Sequence, residues 1–344
     1  MKLITAAALA FATLAAAAQT PDSVTVYGLY DAAVRRANNV DANRNSRWTM
    51  EDGIITGTRL GLRGRENLGG GLAAVFTIES GFDPSTGLSL QGTPTADYGQ
   101  VAANPRFWGR EAHVGLRGAG WGLTAGRQYT LAHTLVARFQ PLGNPNSTAH
   151  SLFSSHHIAR QDNQLRADLK LAGIDLSATH TFGEQTGSNN GAWAVGLGYS
   201  GGSFALAAYV QEMENLAGSE KRRVVGGGGN VRINTTFALF AGVMQRTSAV
   251  SPQENLAWTL GANVELGPQV TLSLAHFDDQ QDGSTALTGE RQVSWVNASY
   301  RFSRRTDVYV VIDRNRVAGG YARPAFMGTL GTQTGFATGL RHRF

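Results

Sequence analysis

The sequence is rich in one kind of chemistry. Thirty basic residues stand against 25 acidic ones, and of the thirty only Lys2, Lys170 and Lys221 are lysine. The rest are arginine, a planar, permanently charged group that grips carboxylate or phosphate through two parallel hydrogen bonds. Arg138 and Arg160 lie within residues 130–161, and Arg127 sits just before them. That stretch holds no Asp or Glu, does carry His133, His150, His156 and His157, and does not alternate apolar with polar residues. Arginines without an internal counter-charge would attract anions, and a narrow low-dielectric passage would focus their field. The expected chemistry is attraction of small anions, not bond-making.

Other chemistries fare worse. There is no cysteine, which removes thiolate catalysis and zinc–thiolate sites. His156 and His157 are adjacent, so on extended chain they point apart, and no carboxylate lies near them in sequence; no metal is expected there. Asp278, Asp279 and Asp282 have a composition that could hold Ca²⁺ in an outer loop, but an exposed acidic loop is the simpler reading. Gly226–Gly229 lacks the Lys-Ser/Thr of a phosphate loop and lies within a strand pattern, where glycine suits a close-packed wall. No local pattern places a nucleophile beside a base, so neither an enzyme nor a cofactor is expected. The net charge of +5 would suit nucleic acid, but export and the absence of a basic helical cluster argue against it.

The elements that position these residues come next. Lys2, the apolar residues 3–14 and the small residues 15–18 read as a secretory signal, leaving residues 19–344. No later run is long and apolar enough for a spanning helix. Instead, sixteen segments alternate: 24–34, 58–65, 72–82, 110–117, 121–129, 163–171, 174–182, 192–199, 203–212, 222–233, 235–247, 255–266, 269–278, 291–302, 306–315 and 333–344. A polar loop is expected between the first two. Short turns at 172–173, 201–202, 267–268 and 303–305 alternate with connections read as long and polar. In 255–266, Leu256, Trp258, Leu260, Ala262, Val264 and Leu266 share one face and Thr259, Asn263 and Glu265 the other. Alternation alone fits a soluble exported β-sandwich as well as a membrane barrel. Strand number, one-sided loop lengths, export and the strand-end aromatics Phe82, Tyr129, Phe182, Tyr199, Phe302 and Phe344 favour an all-β, 16-stranded antiparallel transmembrane β-barrel. Residues 130–161, too long for an ordinary connection, are expected to fold into its lumen.

Several stretches together resemble the general trimeric porins of Gram-negative bacteria, most closely the β-proteobacterial group. They are Val24-Thr-Val-Tyr-Gly-Leu-Tyr-Asp31, Thr58-Arg-Leu-Gly-Leu-Arg-Gly-Arg-Glu-Asn-Leu-Gly-Gly-Gly71, Val114-Gly-Leu116, Ala125-Gly-Arg-Gln-Tyr-Thr130 and the terminal Phe344, which looks like the assembly signal of outer-membrane barrels. The resemblance implies an outer-membrane homotrimer with its third outer loop inserted and its second, between 83 and 109, locking the trimer. Lipopolysaccharide and the barrel-assembly machinery are implied as partners. It also implies an arginine ladder, matched at Arg59, Arg127 and Arg160, with Arg63 on the face of Arg59. Parity supports Arg59, against outward Leu60 and Leu62, and Arg160, in step with Gln164 and Arg166. It does not support Arg127, in phase with Leu123 and Ala125. Arginine facing mid-bilayer lipid costs ~2–4 kcal/mol, so a bulge or strand end is expected there with the side chain inward. The parity of Arg110 is open. The family's inserted loop usually carries acids; this one carries none, so an anion-selective channel for passive diffusion of small hydrophilic solutes is expected. The alternative is a substrate-specific channel in which Phe139, Phe153 and His133 line a solute site.

Overall fold

The computed structural model describes residues 22–344, in which seventeen strands form one closed antiparallel sheet. The expected signal segment, 1–18, lies outside the described residues. The first nine strands are β1 (Ser23–Ala37), β2 (Arg47–Asp52), β3 (Arg59–Gly69), β4 (Leu72–Gly81), β5 (Glu111–Gly118), β6 (Trp121–Tyr129), β7 (Arg160–Leu171), β8 (Ile174–Thr181) and β9 (Ala192–Ser200). The other eight are β10 (Phe204–Glu214), β11 (Lys221–Arg232), β12 (Phe237–Ser248), β13 (Glu254–Glu265), β14 (Val270–Asp282), β15 (Gly289–Arg301), β16 (Thr306–Gly319) and β17 (Thr332–Arg343). A short helix α1 (Leu131–Val136) follows β6.

The barrel has sixteen strand positions, because β2 and β3 share one. Ala32–Ala37 pairs with β2 and Ser23–Leu29 with β3. Residues 47–52, read from sequence as loop, are therefore the upper half of the second barrel strand. Between the halves, residues 53–58 turn away from the sheet. Asp31 holds the detour, accepting from Thr56 N at 3.0 Å and from the Tyr309 hydroxyl at 2.7 Å. Closure comes from β17 on β1, from Leu29↔Arg343 to Ala37↔Gly335.

Alternation sets the two faces. On β13, Leu256, Trp258 and Leu260 are exposed on the outside, while Ala257 and Thr259 are buried inside. The same outward apolar band runs round the wall, as lipid requires, and closure leaves no free sheet edge. Outer connections are less uniformly long than expected: residues 249–253 make a five-residue link. The second outer loop folds back on its own rim. Its Arg106 and Val101 N bind Asp162, and Gly99 N donates to Asn190 Oδ1 at 3.0 Å.

Residues 130–159 run through the barrel interior. Thr130 caps α1 through His133 N, and its hydroxyl donates to Ile158 O at 2.7 Å, closing the neck of the loop. Leu131, Ala132, Leu135, Val136, Phe139, Leu152 and Phe153 are buried between loop and wall. The wall is hollowed by inward glycines to receive them. A Cβ at Gly196 would collide with Leu135, at Gly242 with Phe139, and at Gly261 with Pro141. Wall side chains then satisfy the loop backbone, which is otherwise cut off from partners. Asn230 Nδ2 donates to Arg138 O, Arg291 Nη2 to Thr148 O at 2.7 Å, Asn315 Nδ2 to Ala149 O and Trp295 Nε1 to His150 O. On the other side Asn146 N and Ser147 N donate to Ile55 O and Ile54 O in the detour of the second strand.

Candidate pore constriction

The wall opposite the docked loop carries a compact arginine cluster. Arg59 projects inward from β3, in step with Gly61 and Arg63 and opposite in facing to Leu60. Its Nη1 lies 3.8 Å from Glu79 Oε1 on β4. Arg110, just before β5, donates through Nε to the same oxygen and through Nη2 to the Tyr129 hydroxyl at 2.6 Å. Arg160, at the start of β7, reaches that hydroxyl as well, and its guanidinium lies 4.2 Å from the Tyr129 ring centroid. Tyr129 in turn stacks on His133 of α1 at 4.9 Å. Three guanidinium groups thus converge on one tyrosine and one carboxylate, beside the first turn of the inserted loop. Tyr27 donates to the second oxygen of Glu79 at 2.9 Å, fixing the carboxylate in place.

The remaining expected residues are dispersed. Arg63 lies on the face of Arg59, further along β3, exposed to the interior and 5.2 Å over the Tyr27 ring. Arg127 does fall at a β-bulge, where the register between β6 and β7 shifts between Gly126 and Gln128. It is buried and committed, with Nη1 2.9 Å from Asp162 Oδ1 and Nε donating to Gly109 O at 2.8 Å. It braces the second outer loop instead of standing free in the passage. Arg138 lies beyond α1, paired with Asp175 at 3.0 Å and away from the cluster. Arg110, whose facing is open in the sequence, belongs to the cluster.

The expectation that the arginines have no counter-charge needs correction. The inserted loop brings none, but Glu79 comes from the neighbouring wall. Two more wall acids lie under the loop, where its histidines meet them. His156 Nε2 is 2.6 Å from Asp279 Oδ2, and His150 Nε2 is 3.4 Å from Asp313, which also holds Arg35 at 2.7 Å. His156 therefore has a carboxylate partner that sequence distance hides, while His157 turns to His133. Asp278 and Asp279 sit on β14, not in a loop, and face opposite ways: Asp278 accepts from Gln280 and Gln292, Asp279 from Tyr321 and Asn255. Among the described residues, no group of three or more acidic or histidine side chains is placed to hold a metal.

Phe139 and Phe153 are fully buried, against Gly228 and Gly242 and against Phe277 respectively. They anchor the loop and do not line a solute site, which removes the main support for a dedicated aromatic subsite. Tyr129, read from its strand-end place as a girdle aromatic, is instead inside the cluster. Phe344 faces outward; its backbone pairs reciprocally with Gly28, whose missing side chain makes room for the ring.

The family model described as Gram-negative porin matches residues 5–320. An outer membrane porin protein of Bordetella pertussis is 28% identical over 404 residues, covering 100% of both chains. The major outer membrane protein P.IB of Neisseria meningitidis serogroup B is 26% identical over 360 residues and 98% of both. Among solved structures, the anion-selective porin from Comamonas acidovorans superposes with a TM-score of 0.76 at 19% identity, over 94% of this chain and 100% of that one. The trimer form of OmpT from Vibrio cholerae gives 0.67 at 11%, over 94% and 100%.

Proposed function

The chain belongs to the Gram-negative porin family, an outer-membrane β-barrel channel, and from that premise we propose that it passes small hydrophilic solutes by passive diffusion with a preference for anions. The observation that carries the preference is the cluster of Arg59, Arg110 and Arg160 around Glu79 and Tyr129. Three fixed positive charges face one negative charge beside the first turn of the acid-free inserted loop. A preorganised excess of guanidinium in a low-dielectric channel lowers the barrier for an anion and raises it for a cation. The Comamonas acidovorans protein's description as anion-selective points the same way. Arg63 extends the basic track along β3, Arg127 holds the second outer loop on Asp162, and Phe344 acts in assembly by pairing with β1. The reading requires no cofactor. The working unit in this reading is a homotrimer, the form in which OmpT of Vibrio cholerae is described; mass analysis of the detergent-solubilised protein checks it.

Liposome swelling tests the transport reading. Proteoliposomes diluted into solutes of matched size should swell faster with an anionic solute than with a cationic one. Equal rates, or faster entry of the cation, would remove the proposed preference.

A further inference from the structure

A second basic site lies on the short-turn side of the inserted helix. Arg117 on β5, Gly122 on β6 and Asp168 on β7 form one row across three strands. Gly122 faces inward between them. Around its missing side chain the nearest atoms are Arg117 Cγ at 3.6 Å and Leu116 O at 3.9 Å, so the row has an open hollow at its middle. The hollow is two strand spacings wide, about 10 Å. Thr134, Leu135 and Arg138 roof it, Lys170 closes the end nearest the turns, and the whole forms a cleft of about 450 Å³.

The charges do not balance. Arg166 is spent on Asp168, with Nε at 3.0 Å and Nη2 at 2.9 Å. Arg138 is spent on Asp175. Lys170 is 69% exposed, with its ammonium 3.9 Å from Asp175, and Arg117 makes no ion pair among the described residues. Four cations thus border the hollow against the two carboxylates Asp168 and Asp175; Lys170 only shares Asp175 with Arg138, and Arg117 has no ion pair among the described residues. Lys170 and Arg117 can each swing over Gly122, and the fork of Arg117 matches two oxygens of one phosphate or carboxylate.

We propose that the Arg117–Gly122–Lys170 hollow is a second anion-binding station, taking small dianions bearing phosphate or carboxylate groups after they pass the constriction. The proposal rests on the anion-preferring reading above. A weak site in series lets an ion leave the constriction into a compensated position, which speeds conduction only if occupancy stays reversible.

The test uses the intact protein in planar bilayers at low salt and neutral pH. Inorganic phosphate, or succinate in a parallel series, is titrated on the short-turn side while chloride current is recorded. A saturating fall in current is expected. In Arg117→Ser/Lys170→Ser, which leaves both structural ion pairs in place, the half-saturation concentration should rise roughly tenfold or more for the loss of two charged contacts. Phosphate and succinate responding alike would mark the shared dianion chemistry; a response to phosphate alone would narrow the class. An unchanged half-saturation in the double variant, or no saturating fall in the original protein, would overturn the station. Failure of the underlying reading shows separately, as a cation-preferring zero-current potential in plain KCl.

Discussion

Phe139 is the best place to test whether the inserted loop is held by packing against a glycine-lined wall. Its ring is fully buried, lies nearly parallel to Tyr209 with centroids 6.3 Å apart, and rests on Gly228 and Gly242. Truncating a buried phenylalanine costs ~3–5 kcal/mol. The barrel ladders do not involve this side chain, so the loss falls on docking of the loop. At about 1.4 kcal/mol per factor of ten, Phe139→Ala should raise the undocked population roughly a hundredfold to a few thousandfold. Single-channel records should then show excursions to higher conductance that are rare in the original protein. The wall supplies the internal check. A Cβ at Gly242 would lie 2.6 Å from Phe139 Cβ and 2.8 Å from Cδ2, with no other residue among its three nearest atoms. Gly242→Ala should therefore loosen the loop when Phe139 is present and be nearly silent in Phe139→Gly, which removes the Cβ as well as the ring, a coupling of ~1–3 kcal/mol. Quiet traces in Phe139→Ala, or strictly additive effects of the two changes, would refute docking by packing.

Glu79→Gln removes the carboxylate that, among the described residues, touches both Arg59 and Arg110; anion preference should increase, and a decrease in the permeability ratio would mean that the cluster needs its acid to stay in place. Asp313→Ala leaves Arg35 charged and unpaired beneath the loop, where its side chain is only 3% exposed; a loss of ~3–5 kcal/mol is expected, read as a lower melting temperature in detergent, and an unchanged one would show that water replaces the pair. Acid should release the loop. Burial, then the neighbouring His156, holds the His157 pKa down to about 3, and burial, then His157, Arg160 and Arg110, holds His133 well below its usual value. A released loop would recover the ordinary value of about 6.5. Above that pH neither state carries the proton, so docking is fully present; as pH falls towards about 3 only the released state gains protons and docking weakens. Excursions should grow on acidification, and a double His133→Gln/His157→Gln variant with the same pH response would exclude these two groups as the cause.

Much of the barrel is legible in the sequence because a membrane wall has only two faces. Period-two alternation is enough to place Leu256, Trp258 and Leu260 outside and Arg59 inside. The same rule accounts for what it misreads. Residues 47–52 alternate Trp48 and Met50 with polar neighbours, but sit within an Asn- and Arg-rich stretch that masks them. Arg127 looks outward by phase, and the bulge beside Gly126 both breaks the phase and frees room for Asp162. The cluster itself is half readable: Arg59 and Arg160 from parity, but not Glu79, Arg110 or Tyr129. Those three meet from β4, the loop before β5 and the end of β6, and cross-strand register of that kind leaves no trace in local pattern. The acids under the loop, Asp279 and Asp313, are hidden for the same reason. Two of the inward glycines could have been found by asking which glycines share parity with polar residues: Gly228 and Gly261 do, whereas Gly242 is in step with Phe240 and Met244.

The central claim is that a surplus of fixed arginine charge at the narrowest point selects anions. The zero-current potential of purified protein in a planar bilayer under a KCl gradient tests it most directly. The account predicts a sign that favours chloride, weakened in Arg59→Ser and weakened further in Arg59→Ser/Arg160→Ser. A potassium-favouring sign, or a chloride preference indifferent to both substitutions, would contradict it and place selectivity with other lumen charges such as Asp168 and Glu265.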